Sequence, residues 1–131
     1  MLEIKDKSGN FIKIDRNSLD LPFQYKRITS TFITETTGTI TVNDINLYDY
    51  DYLIFNFRYL TAYQRMATGI VKIPERNSKI TQLQVGIADT NGDLVNIVIT
   101  NIGSSGFRYS LSGTELTYVQ GLDSIYVLKI Q

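Results

Sequence analysis

The chain has 131 residues, of which 43% are hydrophobic and 20% charged, and its 13 basic and 13 acidic residues give a formal net charge of zero. This composition predicts a globular domain with one real core and excludes a disordered chain. The balanced charge argues against non-specific capture of nucleic acid or acidic membranes, and it leaves little repulsion between copies, as expected of a protein that assembles.

Two residue types that carry much of enzyme and metal chemistry are missing. The absence of cysteine excludes disulfides, thiolate chemistry and Cys-ligated metal sites. The absence of histidine removes the usual general base, metal ligand and pH switch. The N-terminal MLEIKDKSGNF lacks the apolar core of a signal peptide, and no apolar run approaches the length of a membrane span, so we expect synthesis in a cytoplasm and no membrane insertion.

The N-terminal residues 2–15 predict a β-hairpin, because Gly9-Asn10 tolerates positive φ between two extended stretches. Residues 16–22 predict a connector that ends at Pro22. We expect a single domain over residues 1–131, in which residues 1–24 form either its first strands or a separate attachment segment.

Residues 25–42 are rich in threonine and isoleucine, which predicts two half-exposed strands with a break at Thr37-Gly38. Next comes LYDYDYLIFNFRYL, residues 47–60, whose alternation predicts one long strand. Its core half is predicted to bury a row of apolar side chains: Leu53, Phe55, Phe57 and Tyr59. Its wetter entrance carries three tyrosines: Tyr48, Tyr50 and Tyr52.

The rest of the chain continues the strand pattern. Residues 61–68 predict a loop or one helical turn, and Asn91-Gly92 is the strongest hairpin signal. Alternating apolar positions predict further strands: 70–73, 82–88, 94–100, 107–111, 116–119 and 124–130. Strands spaced by about ten residues, with turn residues between them, predict an all-β protein, an antiparallel, jelly-roll-like β-sandwich of about eight to ten strands.

Three segments carry a family resemblance: TTGTITV (Thr36–Val42), DYDYLIF (Asp49–Phe55) and LDSIYVLKI (Leu122–Ile130). With them, residues 36–131 resemble a C-terminal β-domain of bacteriophage virion proteins. The resemblance implies a structural protein of a phage tail, baseplate or fibre, located in the virion. It also implies a homo-oligomer, with a trimer favoured, that contacts other virion proteins and in some cases host-surface glycans. It marks the fold and transfers no functional residues.

The chain departs from a long fibre protein in one respect. It has no coiled-coil heptads and no collagen-like or β-helical shaft. Either it is a small virion module, or the fibre assignment does not apply.

Tyrosines are the main candidates for a ligand or interface site: Tyr48, Tyr50, Tyr52 and Tyr63. Tyrosine supplies a large contact area at low entropic cost, so these residues predict a stacking surface for sugars or a partner protein. The alternative is that they cover an outer sheet face or fill a subunit interface.

Four residues near the same stretch carry the oxygen ligands that calcium prefers: Asp44, Asn46, Asp49 and Asp51. Their spacing matches no known calcium-binding loop, so we favour turn capping as their role. Residues 89–93 resemble the start of an EF-hand loop, yet Leu94 and Thr100 occupy the places of its glycine and glutamate, which favours a hairpin turn. We therefore expect no metal and no cofactor.

Catalysis would have to rely on a carboxylate pair, for which Asp49 and Asp51 on one strand face are the candidates. No SxxK spacing or phosphate-binding glycine loop is present. We expect a protein that is not an enzyme: a phage or prophage virion module acting in assembly and also in host-surface receptor binding. The alternative is a stand-alone carbohydrate-binding module or lectin.

Overall fold

The computed structural model describes residues 2–5, 7–14, 23–60, 66–88, 94–114 and 116–130. Within these ranges the chain forms ten strands and two short 3₁₀ helices. The strands are β1 (Leu2–Lys5), β2 (Phe11–Ile14), β3 (Phe23–Arg27), β4 (Thr37–Thr41), β5 (Tyr52–Tyr59), β6 (Met66–Lys72), β7 (Gln82–Ala88), β8 (Leu94–Gly103), β9 (Gly106–Ser112) and β10 (Val119–Ile130). The 3₁₀ helices are Leu47–Asp49 and Leu116–Tyr118.

Eight of these strands form a sandwich of two antiparallel sheets. The first sheet has the order β3-β10-β5-β6, and the second has the order β4-β9-β8-β7. The predicted all-β antiparallel sandwich is thus confirmed. No helix in the described part of the chain is long and apolar enough to cross a membrane.

The strand order pairs the first strands of the sandwich with its last ones. β3, its first strand, pairs with β10, its last, while β4 pairs with β9 in the other sheet. Nested pairing of this kind occurs in jelly rolls, but β5 with β6, and β7 with β8 and β9, are sequential neighbours, so the jelly-roll-like assignment stays a prediction.

The predicted N-terminal hairpin is confirmed, because β1 and β2 pair with each other in a two-stranded sheet of their own. Phe23 and Gln24 already belong to β3 and therefore to the sandwich. Whether the hairpin serves as an attachment segment stays a prediction.

The core lies between the two sheets, where strand alternation places one face of each strand. Leu53, Phe55 and Phe57 of β5 are fully buried, as the sequence predicts. The Phe55 ring meets the Phe107 ring of the opposite sheet edge-on, with 6.0 Å between their centroids. The core contains these further residues: Ile40, Val42, Leu47, Ile73, Val95, Ile97, Ile99, Tyr109, Leu111, Leu122, Ile125 and Val127.

The prediction of one long strand over residues 47–60 is wrong in its first part. Leu47–Asp49 is a 3₁₀ helix, and β5 begins only at Tyr52. Asn46 caps this helix, because its side-chain oxygen accepts a hydrogen bond from the Tyr48 backbone N–H at 3.0 Å. Leu47, fully buried, anchors the turn in the core.

The predicted break at Thr37-Gly38 is also wrong, since both residues lie inside β4. A Cβ on Gly38 would come within 3.1 Å of the Tyr109 ring, so the glycine permits close packing there and makes no turn. The irregular stretch falls earlier, where Ile33 forms a single bridge with Leu122.

Further strand boundaries also differ from those predicted. Leu116–Tyr118 is a 3₁₀ helix, and β10 is continuous from Val119 to Ile130 through two bulges. Residues 66–68 belong to β6, whereas residues 61–65 and the Asn91-Gly92 turn lie outside the described residues. β7 and β8 nevertheless pair antiparallel, as that hairpin requires.

Candidate functional site

The three described tyrosines of the candidate site have different surroundings. Tyr48 is half-buried, its hydroxyl donates a hydrogen bond to the Ile102 carbonyl at 3.3 Å, and the Arg76 guanidinium lies 5.3 Å from its ring centre. Tyr50 packs against the core and lines a groove, whereas Tyr52 lies on the outer face of the first sheet. Tyr50 and Tyr52 thus contribute to two different surfaces. Tyr63 lies outside the described residues.

The groove, which we call the end groove, lies at one end of the sandwich and has a volume of about 670 Å³. One wall is the inner side of β3 and β10, at Gln24 and Lys129; the others are residues 42–50 and the Ser104-Ser105 turn. Its lining consists of Gln24, Val42, Asn43, Asp44, Ile45, Asn46, Asp49, Tyr50, Ser104, Ser105 and Lys129.

Backbone hydrogen bonds tie two walls of the end groove together. The Val42 N–H donates to the Ser105 carbonyl at 2.8 Å, and the Leu47 N–H donates to the Ser104 carbonyl at 2.9 Å. Because Val42 and Leu47 are both buried in the core, these bonds fix the turn that carries the serine hydroxyls. The groove is therefore shaped before any ligand arrives.

Charges around the end groove are balanced. Lys26 forms an ion pair with Asp44, and this hydrogen bond holds the pKa of the Asp44 carboxyl below its ordinary value of 3.8. A lowered folded-state pKa means that the stabilisation is present above the ordinary pKa and is lost as pH falls through the lowered one. Since both side chains are exposed, that contribution is small.

Three of the four oxygen-bearing candidates for calcium have separate structural tasks, and the fourth, Asp49, lines the end groove. Asn46 caps the 3₁₀ helix, Asp44 pairs with Lys26, and an Asp51 carboxylate oxygen accepts a hydrogen bond from the Ile130 N–H at 2.7 Å. Among the described residues, no group of three or more acidic side chains is placed to hold a metal ion. The geometry agrees with the capping interpretation. Residues 89–93 lie outside the described part.

The proposed carboxylate pair does not have the predicted arrangement. Asp49 ends a 3₁₀ helix and lines the end groove, so it does not share a strand face with Asp51. Asp51 is a junction: its N–H donates to the Leu128 carbonyl at 2.8 Å, and its carbonyl accepts from the Ile73 N–H at 2.7 Å.

A second surface lies on the outer face of the first sheet, and we call it the apolar stripe. The strand register creates it in two rows, each crossing three strands. The first row is Tyr25, Leu128 and Tyr52, and the second is Tyr126, Ile54 and Ile70. Tyr25 is 62% exposed and Ile70 55%, and the other members are half-buried. The Tyr25 and Tyr126 ring centroids lie 6.1 Å apart.

A row of polar side chains borders the stripe, and these side chains form hydrogen bonds with one another. The Asn56 amide donates to the Ser124 hydroxyl at 3.0 Å, and the Thr68 hydroxyl donates to the Asn56 side-chain oxygen at 2.7 Å. Beyond them, Arg58 forms an ion pair with Asp123. The face therefore has an apolar centre with a polar border, which is the arrangement of a protein interface.

Of the residues in the stripe, sequence reasoning singled out only Tyr52. The available signal was that outward positions of three strands also carry large apolar side chains, as at Ile54, Ile70 and Leu128. Their adjacency depends on strand order, which local alternation does not reveal.

Comparison with protein-family models, curated proteins and solved structures finds no match for this chain.

Proposed function

We propose that this chain is a structural module of a phage or prophage virion, part of a tail, baseplate or fibre, and that it assembles through the apolar stripe. The observation that carries the assembly role is the stripe itself. Soluble monomers rarely expose a large contiguous apolar patch, and such patches mark interaction sites. The virion assignment is supported by the resemblance of residues 36–131 to phage virion β-domains.

The stripe's main partner in this proposal is a second copy of the chain. In the oligomer each stripe presents the same aromatic and aliphatic rows to its neighbours, and packed sheets accommodate side chains of this size. The formal net charge of zero leaves no long-range repulsion between copies. The resemblance favours a trimer, with other virion proteins as further partners.

Light scattering after gel filtration, at tens of micromolar, tests this assembly. We expect an oligomer for the unmodified chain and a shift to monomer for Ile70→Lys, which places a charge in the stripe. Gln84→Lys is the matched control, because it adds the same charge at an exposed position of the second sheet. A strictly monomeric unmodified chain, or equal dissociation by both variants, contradicts the proposal.

A second candidate function is a stand-alone carbohydrate-binding module or lectin, and the end groove is the observation that favours it. This alternative predicts a monomer that binds sugar, whereas the virion module predicts an oligomer with host-surface receptor binding as an additional role. The oligomeric state of the sugar-binding species therefore separates them.

We propose no catalytic role for this module. This is supported by the Asp51 carboxylate being engaged by the Ile130 N–H, while Asp49 belongs to a different element and not to the strand face predicted for a glycosidase pair. Incubation with bacterial cell-wall glycan should give no turnover, and turnover abolished by Asp49→Asn would overturn this.

A further inference from the structure

We propose that the end groove binds a neutral saccharide unit, with Tyr50 as the stacking ring and with Gln24, Asn43 and Asp49 as polar contacts. This deepens the receptor-binding part of the proposed function and rests on it, but it does not depend on self-association through the stripe.

The first argument is the hydrogen-bonding capacity of the lining. The amides of Gln24 and Asn43 offer donors and acceptors together, and the Asp49 carboxylate offers acceptors. The side chains of these three residues make no hydrogen bond to another described residue. A polyhydroxylated ligand, in which each hydroxyl both donates and accepts, matches this mixture.

The second argument is charge. The Asp44 carboxylate is compensated by Lys26 beside the groove, and Lys129 and Asp49 both line it. Two carboxylates are thus balanced by two ammonium groups. A cationic or anionic ligand would gain little net attraction here, which favours a neutral one.

The third argument is the combination of an aromatic ring with a fixed frame. Tyr50 is held by packing against the core while it lines the groove. An aromatic face provides a flat apolar surface for the C–H side of a pyranose ring. The bonds from Val42 and Leu47 to the Ser104-Ser105 turn fix the opposite wall, which lowers the entropic cost of binding.

The size of the groove agrees with a small ligand. Its volume of about 670 Å³ lies within the range of about 300–1,000 Å³ that is usual for small-molecule sites. The groove is open along one side, so it also admits one unit of a longer chain. Free sugars and surface polysaccharides therefore share the chemistry that it recognises.

The test uses the full chain and saturation-transfer NMR with methyl glucoside, galactose and N-acetylglucosamine, beside glucuronate and glucosamine as charged probes. We expect at least one neutral probe to bind. Its affinity should fall by about tenfold or more in Tyr50→Ala and in Asn43→Ala, because each variant removes a direct contact. Tyr118→Ala is the matched control: it removes an exposed tyrosine that neither lines the groove nor belongs to the stripe, and it should leave binding unchanged.

Asn43 is exposed, so Asn43→Ala remains informative if Tyr50→Ala does not fold. Binding of charged probes alone, or of no probe at millimolar concentration, overturns the proposal, as does equal loss in Tyr118→Ala. Retention on immobilised dextran identifies a polysaccharide source, and binding of free sugars alone overturns the receptor role. Light scattering on the same samples keeps a failure of sugar binding distinct from a failure of assembly.

Discussion

At the scale of single residues, Gly106 carries a conformation that other residues avoid. Its φ is +153°, and a Cβ built on it would lie 2.0 Å from the Ile40 carbonyl oxygen of the neighbouring strand. Gly106→Ala should therefore lower the free energy of unfolding by about 2–3 kcal/mol, through backbone strain and displacement of β4. Urea denaturation measures this change.

Gly103 provides the matched control, because it pairs with Gly106 across the same turn and a Cβ there would meet nothing within 4 Å. We expect Gly103→Ala to change stability by no more than about 0.5 kcal/mol. Equal losses in the two variants would mean that glycine is needed for the turn in general rather than for the approach of β4.

The candidate site could be predicted from sequence only as far as residue types. Tyrosines and carboxylates near residues 44–52 do line a groove or a face, as Tyr50 and Tyr52 show. Tyr50 and Tyr52 belong to two different surfaces because a 3₁₀ helix precedes β5, and this helix begins where the Asn46 side chain accepts a hydrogen bond from the Tyr48 N–H. Strand alternation ends there, and no periodicity argument continues through it.

At the scale of elements, Asp51 joins three strands at one end of the first sheet. Its carboxylate receives the Ile130 N–H, and its backbone bonds Leu128 and Ile73. Asp51→Ala should lower the free energy of unfolding by about 1–2 kcal/mol, because the end of β10 loses a charged acceptor. Hydrogen exchange should show faster exchange of the Ile130 amide.

Asp49→Ala is the comparison, since the Asp49 side chain makes no hydrogen bond to another described residue. We expect a change within about 0.5 kcal/mol. If Asp49→Ala were the more destabilising substitution, the junction role assigned to Asp51 would be refuted.

The strands that the sequence predicted well are those with apolar side chains at every second position. β7 runs over the predicted residues 82–88, and the alternating apolar residues of β8 and β9, such as Ile97 and Tyr109, are buried. The failures occur where a tertiary contact overrides a local preference. Gly38 looks like a turn residue, but its lack of a side chain serves packing, because a Cβ there would come within 3.1 Å of the Tyr109 ring.

At the scale of the whole molecule, strand order was beyond local reasoning. Tyr25, Leu128 and Tyr52 are neighbours in one row although they belong to distant parts of the chain. The nested pairing of β3 with β10 creates that row, and it also places Lys129 opposite Gln24 in the end groove. Both candidate surfaces thus depend on pairing between strands that are distant in sequence. A short stretch of sequence shows neither the entropic cost of bringing such strands together nor the contacts that compensate for it.

The response of self-association to salt and pH should show which force drives it. At neutral pH the formal net charge is zero and the stripe is apolar, so raising sodium chloride to about 1 M should leave the oligomer intact or strengthen it. At about pH 4 the chain carries a net positive charge, because lysine and arginine stay charged while carboxyl groups in general begin to take up protons, and this charge should weaken association.

Salt should then restore the oligomer at pH 4 by screening that repulsion, provided that circular dichroism shows the fold unchanged. Sedimentation velocity across the four conditions measures the effect, with Gln84→Lys behaving as the unmodified chain and Ile70→Lys staying monomeric throughout. An oligomer that dissociates in salt at neutral pH would be held by ion pairs between copies, which Arg27 or Lys72 at the margins of the stripe could form. Its interface would then be sought among charged residues, because burial of the stripe is insensitive to screening.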